Sequence, residues 1–64
     1  MKPKEKLHKD QKAILNYLEQ GKSIRGMSLR EIGRLFGIAH PQTVKHHISQ
    51  LILHGFIDST LKIK

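Results

Sequence analysis

Hydrophobic residues recur at helical spacing in three separate segments of the chain, divided by polar segments that contain glycine. In the first segment the apolar positions fall on one side of a helix, and Gly21 then interrupts the pattern. This periodicity predicts a first helix over about Lys9 to Gln20. The apolar residues of this first segment are Leu7, Ile14, Leu15 and Leu18.

The second segment, SLREIGRLFG, carries its own start and stop signals. Ser28 is a favourable N-cap residue, and Glu31 three positions later completes a capping box. Gly37 suits the position after a helix end. We therefore predict a short second helix over Leu29 to Phe36. Gly33 lies inside it, where glycine costs roughly 1 kcal/mol relative to alanine. Either a neighbouring helix approaches closely there, or the position is a tolerated surface glycine.

A third helix is predicted over Pro41 to His54. Pro41 suits the first helical position, because its missing N–H group would be unpaired there in any residue. The preceding residue is unexpected: His40 stands where Ser, Thr, Asp or Asn usually caps a helix. We expect a ring nitrogen of His40 to accept a hydrogen bond from the helix. The buried face of this helix is expected to contain Val44, Ile48, Leu51 and Ile52.

The last segment, FIDSTLKIK, is rich in β-branched residues, and it predicts one strand or a tight hairpin that turns at Asp58 and Ser59. Three helices followed by this segment predict a mainly α domain with a short C-terminal β element. The short second helix, the glycine-containing turn and the longer third helix have the outline of a helix-turn-helix motif. We expect the domain to span residues 7–64, and residues 1–6 to form a flexible basic arm.

Of the bulk properties of this sequence, net charge says the most about which functions are possible. Twelve Lys and Arg against five Asp and Glu give a net charge of +7. Such a field favours polyanions, with nucleic acid first and an anionic membrane surface second, although a merely solvated basic surface has the same composition. No membrane-length apolar segment is present, and the protein is expected to be cytoplasmic.

The predicted third helix has an outer face without any acidic residue. One interpretation is an ordinary solvent-exposed face without a binding role, but such faces usually carry both acidic and basic residues. Side chains that hydrogen-bond base edges or phosphates favour a face that contacts double-stranded DNA. These side chains are Gln42, Thr43, Lys45, His46, Ser49 and Gln50.

The segment SLREIGRLFGIAHPQTVKHHISQLILHGFI resembles the winged helix-turn-helix domain of the LexA repressor family. Shared features are an Arg-Glu-Ile run in the second helix, a glycine that ends it, X-Pro-X at the start of the third and a histidine in its middle. The resemblance implies a three-helix winged helix-turn-helix fold and sequence-specific DNA binding by a transcriptional regulator. It places base contacts at His40, Gln42, Thr43, Lys45 and His46, and we add Ser28, Arg30, Arg34 and Ser49 as further DNA contacts.

Two departures limit what the resemblance implies. LexA has acidic residues where Lys45 and His46 stand, so its operator sequence is not carried over. Nothing in these residues corresponds to the self-cleaving, dimerising domain of LexA. We therefore expect a monomer in free solution, with a second copy joining on DNA.

The main alternative is a winged-helix module that docks onto a larger protein assembly through Leu53, Phe56 and Ile63. RNA binding is a third possibility, although the chain lacks the interleaved aromatic residues of single-strand readers. No catalytic motif is present, and we expect neither enzymatic activity nor a cofactor or small-molecule ligand.

The chain contains five histidines, which are possible metal ligands. His40, His47 and His54 share one side of the third helix, but successive ones lie about 10 Å apart. They cannot all reach one ion, so no metal site is predicted from them. His47 is instead expected to be semi-buried near the first or second helix, with a ring nitrogen bonded to a backbone carbonyl.

Overall fold

Three α-helices joined by short loops make up most of the computed structural model, which describes residues 7–64. They are α1 (Lys9–Glu19), α2 (Leu29–Phe36) and α3 (Pro41–Leu53). All three predicted helices are confirmed. The helices α1 and α3 end one residue earlier than predicted, because Gln20 and His54 are their C-cap residues. The predicted arm over residues 1–6 lies outside the described residues.

The core is formed where one face of each helix meets the other two. Its buried apolar residues are Ile14, Leu15, Leu18, Ile24, Ile32, Val44, Ile48, Leu51 and Ile57. Ile52, predicted as buried, is only partly buried and packs against this cluster. Because apolar burial is the main favourable term in folding, these few side chains carry most of the stability of so small a domain.

Ile24 is a core residue that helical periodicity does not reveal, since it lies in the loop between α1 and α2. Its side chain is completely buried, although the loop around it is mostly polar and exposed. The Ile24 carbonyl accepts a hydrogen bond from the Met27 backbone N–H at 3.2 Å. The loop is thus anchored to the core by one side chain, and no strand forms within residues 22–27.

The turn between α2 and α3 packs directly on Gly33. A Cβ atom at this position would lie 2.7 Å from the Ile38 carbonyl oxygen and 3.4 Å from a methyl carbon of Val44. The Gly33 carbonyl accepts a hydrogen bond from the Ile38 backbone N–H at 2.8 Å, and Gly37 has a φ of 71°. Of the two explanations for Gly33, the structure therefore supports close approach, here by the turn and the first turns of α3.

After α3 the chain makes one tight turn instead of a regular strand pair. Ile57 and Ile63 form a single antiparallel bridge, and the Asp58 backbone N–H donates to the Lys62 carbonyl at 2.9 Å. The Asp58 carboxylate accepts bonds from Thr60 and Lys62, and these bonds lower its pKa. Within residues 7–64 the predicted β element is thus limited to this bridge, and a wing remains a prediction.

We predict that Gly33→Ala destabilises the domain. Alanine would gain roughly 1 kcal/mol in helix propensity, but its methyl group would overlap a backbone carbonyl that cannot move independently. Overpacking of this kind typically costs about 1–3 kcal/mol. Urea denaturation of the two proteins measures the difference in the free energy of unfolding. An alanine variant that is more stable than the wild type would show that the turn relaxes easily and that the contact does not constrain the fold.

Candidate nucleic-acid interface

The two sides of α3 differ sharply in burial and chemistry. Gln42, Lys45, His46 and Ser49 are all exposed and follow the i, i+3, i+4, i+7 spacing of one helix face. The opposite face is buried by Val44, His47, Ile48 and Leu51. Thr43, which borders the outer face, is partly exposed, and no residue of α3 is acidic. The outer face therefore offers hydrogen-bonding and cationic groups without a carboxylate to repel phosphate.

The start of α3 is open because its N-cap side chain does not cap it. His40 has an extended backbone and an exposed side chain, but it makes no side-chain capping bond. The expectation that His40 accepts from the helix is wrong: backbone bonds do this, with the Thr43 N–H donating to the His40 carbonyl at 3.0 Å. The partial positive charge of the helix start therefore faces solvent beside His40.

Two arginines of α2 flank this helix start. Arg30 and Arg34 are exposed and one helical turn apart. With Ile38, Ala39 and Pro41 they line one open groove at the junction of α2, the turn and α3. Two guanidinium groups beside a helix N-terminus form a setting that favours a phosphate group.

Ser28 and Glu31 form the predicted capping box at the start of α2. The Ser28 hydroxyl oxygen accepts from the Glu31 backbone N–H, and the Ser28 backbone N–H donates to the Glu31 carboxylate, both at 3.1 Å. These bonds from Ser28, with a smaller contribution from the charge of Arg34, lower the pKa of Glu31 from its usual 4.5. The Ser28 hydroxyl keeps its own proton for donation, so its capping role leaves it able to contact a phosphate.

Behind the outer face, His47 is buried in a polar cluster between α3 and α1. Its Nδ1 lies 3.1 Å from the side-chain amide nitrogen of Gln11, and its ring stacks on His8 at a centroid distance of 4.9 Å. The expected backbone-carbonyl partner is therefore wrong, because a buried glutamine side chain occupies that position. Burial, with a smaller effect from His8, lowers the pKa of His47, which favours the neutral ring at pH 7.

Sequence reasoning missed Gln11 and His8. The spacing of Gln11, three and four residues before Ile14 and Leu15, places it on the buried face of α1, and that spacing was the available signal. His8 is the N-cap of α1, and its Nδ1 accepts from the Asp10 backbone N–H at 3.1 Å. His8 thus has the capping role that was expected of His40.

A model of the LexA DNA binding domain matches residues 4–62 of the chain. The chain belongs to the LexA DNA-binding domain family. No curated protein and no solved structure gives a match. Within the described residues, no helix is long and apolar enough to cross a membrane.

Membership of the LexA DNA-binding domain family supports DNA binding by this chain. The helix-turn-helix arrangement of α2 and α3 is consistent with that family. The outer face of α3 and the arginine groove of α2 adjoin each other at the start of α3. They form the candidate interface of this LexA-family domain.

The capping box gives a pH-dependent prediction. Because folding lowers the Glu31 pKa, its contribution to stability is present above about pH 4.5 and is lost as the pH falls through the folded-state pKa. We expect Glu31→Gln to be less stable than the wild type at pH 7, and the difference to shrink towards pH 3. Urea denaturation across this range measures it.

The matched control is the same substitution in the Ser28→Ala background, where one of the two reciprocal bonds is already lost. There the pH-dependent difference should be much smaller, as a double-mutant cycle reports only the coupled part. An equal difference in both backgrounds would mean that the Glu31 carboxylate acts independently of Ser28.

Proposed function

We propose that this LexA-family domain binds double-stranded DNA sequence-specifically, with α3 in the major groove, and that it acts in a transcriptional regulator. The observation that carries the proposal is the exposed, acid-free face of α3 beside the two arginines of α2. A face of this chemistry matches both the phosphate charge and the donors and acceptors of base edges.

Base edges are assigned to the outer face of α3. From Gln42 to Ser49 the helix rises about 10 Å, which corresponds to about three base-pair steps. Gln42 can pair bidentately with adenine, whereas Lys45 favours the acceptors of guanine. The assignment also includes His40, Thr43 and His46.

Phosphate contacts are assigned to the other candidate residues. Arg30 and Arg34 lie on α2 beside the start of α3. A DNA phosphate backbone that borders the major groove would therefore pass between the two helices. Ser28 at the N-cap of α2 and Ser49 on the outer face of α3 are both exposed and offer hydroxyl donors. Such contacts position the protein on DNA without reading sequence.

The rival proposal of a protein-docking module is weaker. Leu53 is 73% exposed and Ile63 is 40% exposed, but Phe56 packs partly against the core. Two exposed apolar side chains without the third are a small patch, and single exposed apolar residues are common on soluble proteins. The second copy expected on DNA remains a prediction, with contact through the segment from Phe56 to Ile63 or through the basic N-terminal arm.

Salt dependence tests DNA binding itself. We expect binding to random duplex DNA with a dissociation constant of about 10⁻⁴ to 10⁻⁶ M at physiological salt, and a steep loss of affinity as salt rises. Arg30→Ala and Arg34→Ala should each weaken binding to all sequences and reduce the salt slope by about one. Fluorescence anisotropy at several salt concentrations measures both quantities. Absence of binding at low salt would contradict the proposal and favour the docking module.

Sequence reading is tested at Gln42. We expect Gln42→Ala to lose about 1–3 kcal/mol of discrimination at one base position, because the bidentate pair with adenine is removed. Binding to a selected site and to its single-base variants measures this loss. Gln20→Ala is the matched control, since Gln20 is an exposed glutamine at the end of α1. If Gln42→Ala weakens all sequences equally, Gln42 contacts the backbone and its assignment is wrong.

A further inference from the structure

Three metal-ligating side chains from distant parts of the chain meet on the side of α3 that faces α1. His8 and Asp10 come from the start of α1, and His47 comes from the middle of α3. One ligand atom from each lies within 4.8 Å of the other two. An Asp10 carboxylate oxygen is 3.8 Å from His8 Nδ1 and 3.7 Å from His47 Nε2.

We propose that His8, Asp10 and His47 form a binding site for a divalent transition-metal ion of the Zn²⁺ type, which links α1 to α3. Two imidazoles and one carboxylate are a donor set that suits Zn²⁺ and disfavours Mg²⁺ and Ca²⁺, which prefer oxygen ligands. Water would complete the coordination. The site is separate from the DNA-facing surface, because none of its three ligands lies on the outer face of α3.

Zinc binding requires the ligand atoms to move closer together. It also requires the His8 ring to turn out of its stack on His47, because the in-plane lone pairs of stacked rings do not converge on one ion. Ligand atoms at about 2.0–2.1 Å from a tetrahedral zinc ion lie about 3.3 Å from one another. His8 and Asp10 can make this adjustment, since their side chains are 54% and 25% exposed. His8 Nδ1 now accepts from the Asp10 backbone N–H at 3.1 Å. Coordination through this atom would therefore exchange the α1 cap for a metal bond.

The environment of His47 supports its role as a ligand. Its Nδ1 faces the Gln11 carboxamide at 3.1 Å. A half-turn of this carboxamide, whose oxygen and nitrogen have nearly the same shape, lets the oxygen accept from Nδ1–H and leaves Nε2 free for the ion. Histidine ligands in metal sites are commonly held in this way by their other ring nitrogen.

The three histidines that share one side of α3 differ from this set in two of their three members. His40, His47 and His54 lie along a single helix and cannot converge on one ion. His8 and Asp10 precede His47 by more than thirty-five positions, and only the packing of α1 on α3 brings the three together.

Zinc binding by the tag-free chain of 64 residues tests the proposal. His8→Ser removes one ligand but keeps a favourable N-cap residue, so the variant should fold. Asp10→Asn removes the carboxylate with little change in shape. The matched controls are His40→Ser, which removes a histidine from the N-cap of α3, and Glu19→Gln, which removes one negative charge from α1. All five proteins are titrated with Zn²⁺ against a chelating indicator, and the imidazole NMR signals of the wild type are followed.

We expect one zinc ion per wild-type chain, with shifts of the His8 and His47 ring signals. His8→Ser and Asp10→Asn should each weaken zinc binding by more than about tenfold, since loss of an outer-sphere partner alone can have that effect. The two controls should match the wild type, and Mg²⁺ should not compete. Equal zinc affinity in the wild type and both ligand variants would overturn the proposal. If neither variant folds, zinc-induced shifts confined to the other histidines would overturn it.

Discussion

The close contact between Gly33 and the turn that follows α2 determines where α3 lies. With no side chain at Gly33, the Ile38 carbonyl and Val44 pack directly against the α2 backbone. The Ile38 N–H group bonds to the Gly33 carbonyl at the same place. This short connection brings Arg30 and Arg34 next to the first turn of α3, and the candidate interface depends on that proximity. If the two helices were further apart, the arginines of α2 and the outer face of α3 would not form one surface.

The same helix that presents the interface also supplies a large part of the core. Val44, Ile48 and Leu51 of α3 are buried against α1 and α2. Residues that face outward between them are free to serve recognition, because their substitution leaves the apolar cluster unchanged. In a domain this small, the residues available for function therefore lie on the outer faces of helices whose inner faces form the core.

Local signals in the sequence were enough to predict the helices, but non-local contacts were not visible. Each helix was placed to within one residue, since periodicity, the Ser28 capping box and Pro41 act within a few positions. Ile24 was missed because its burial depends on packing between helices. Among the site residues, the exposed face of α3 could be predicted from the spacing of its polar residues. The partners of His47 could not be predicted, because Gln11 lies 36 positions away and no short-range rule connects the two.

The Gln11–His47 contact also bears on how α3 is oriented. Apolar packing is non-directional, so a helix held only by Val44, Ile48 and Leu51 could rotate somewhat about its axis at little cost. A hydrogen bond weakens steeply with misalignment, and a buried polar group without its partner costs about 1–3 kcal/mol. The bond at His47 therefore resists rotation of α3. Since adjacent residues point about 100° apart around a helix, the same bond holds the neighbouring His46 towards solvent. A buried polar contact on one side of α3 thus helps to decide which side chains the other side presents at the candidate interface.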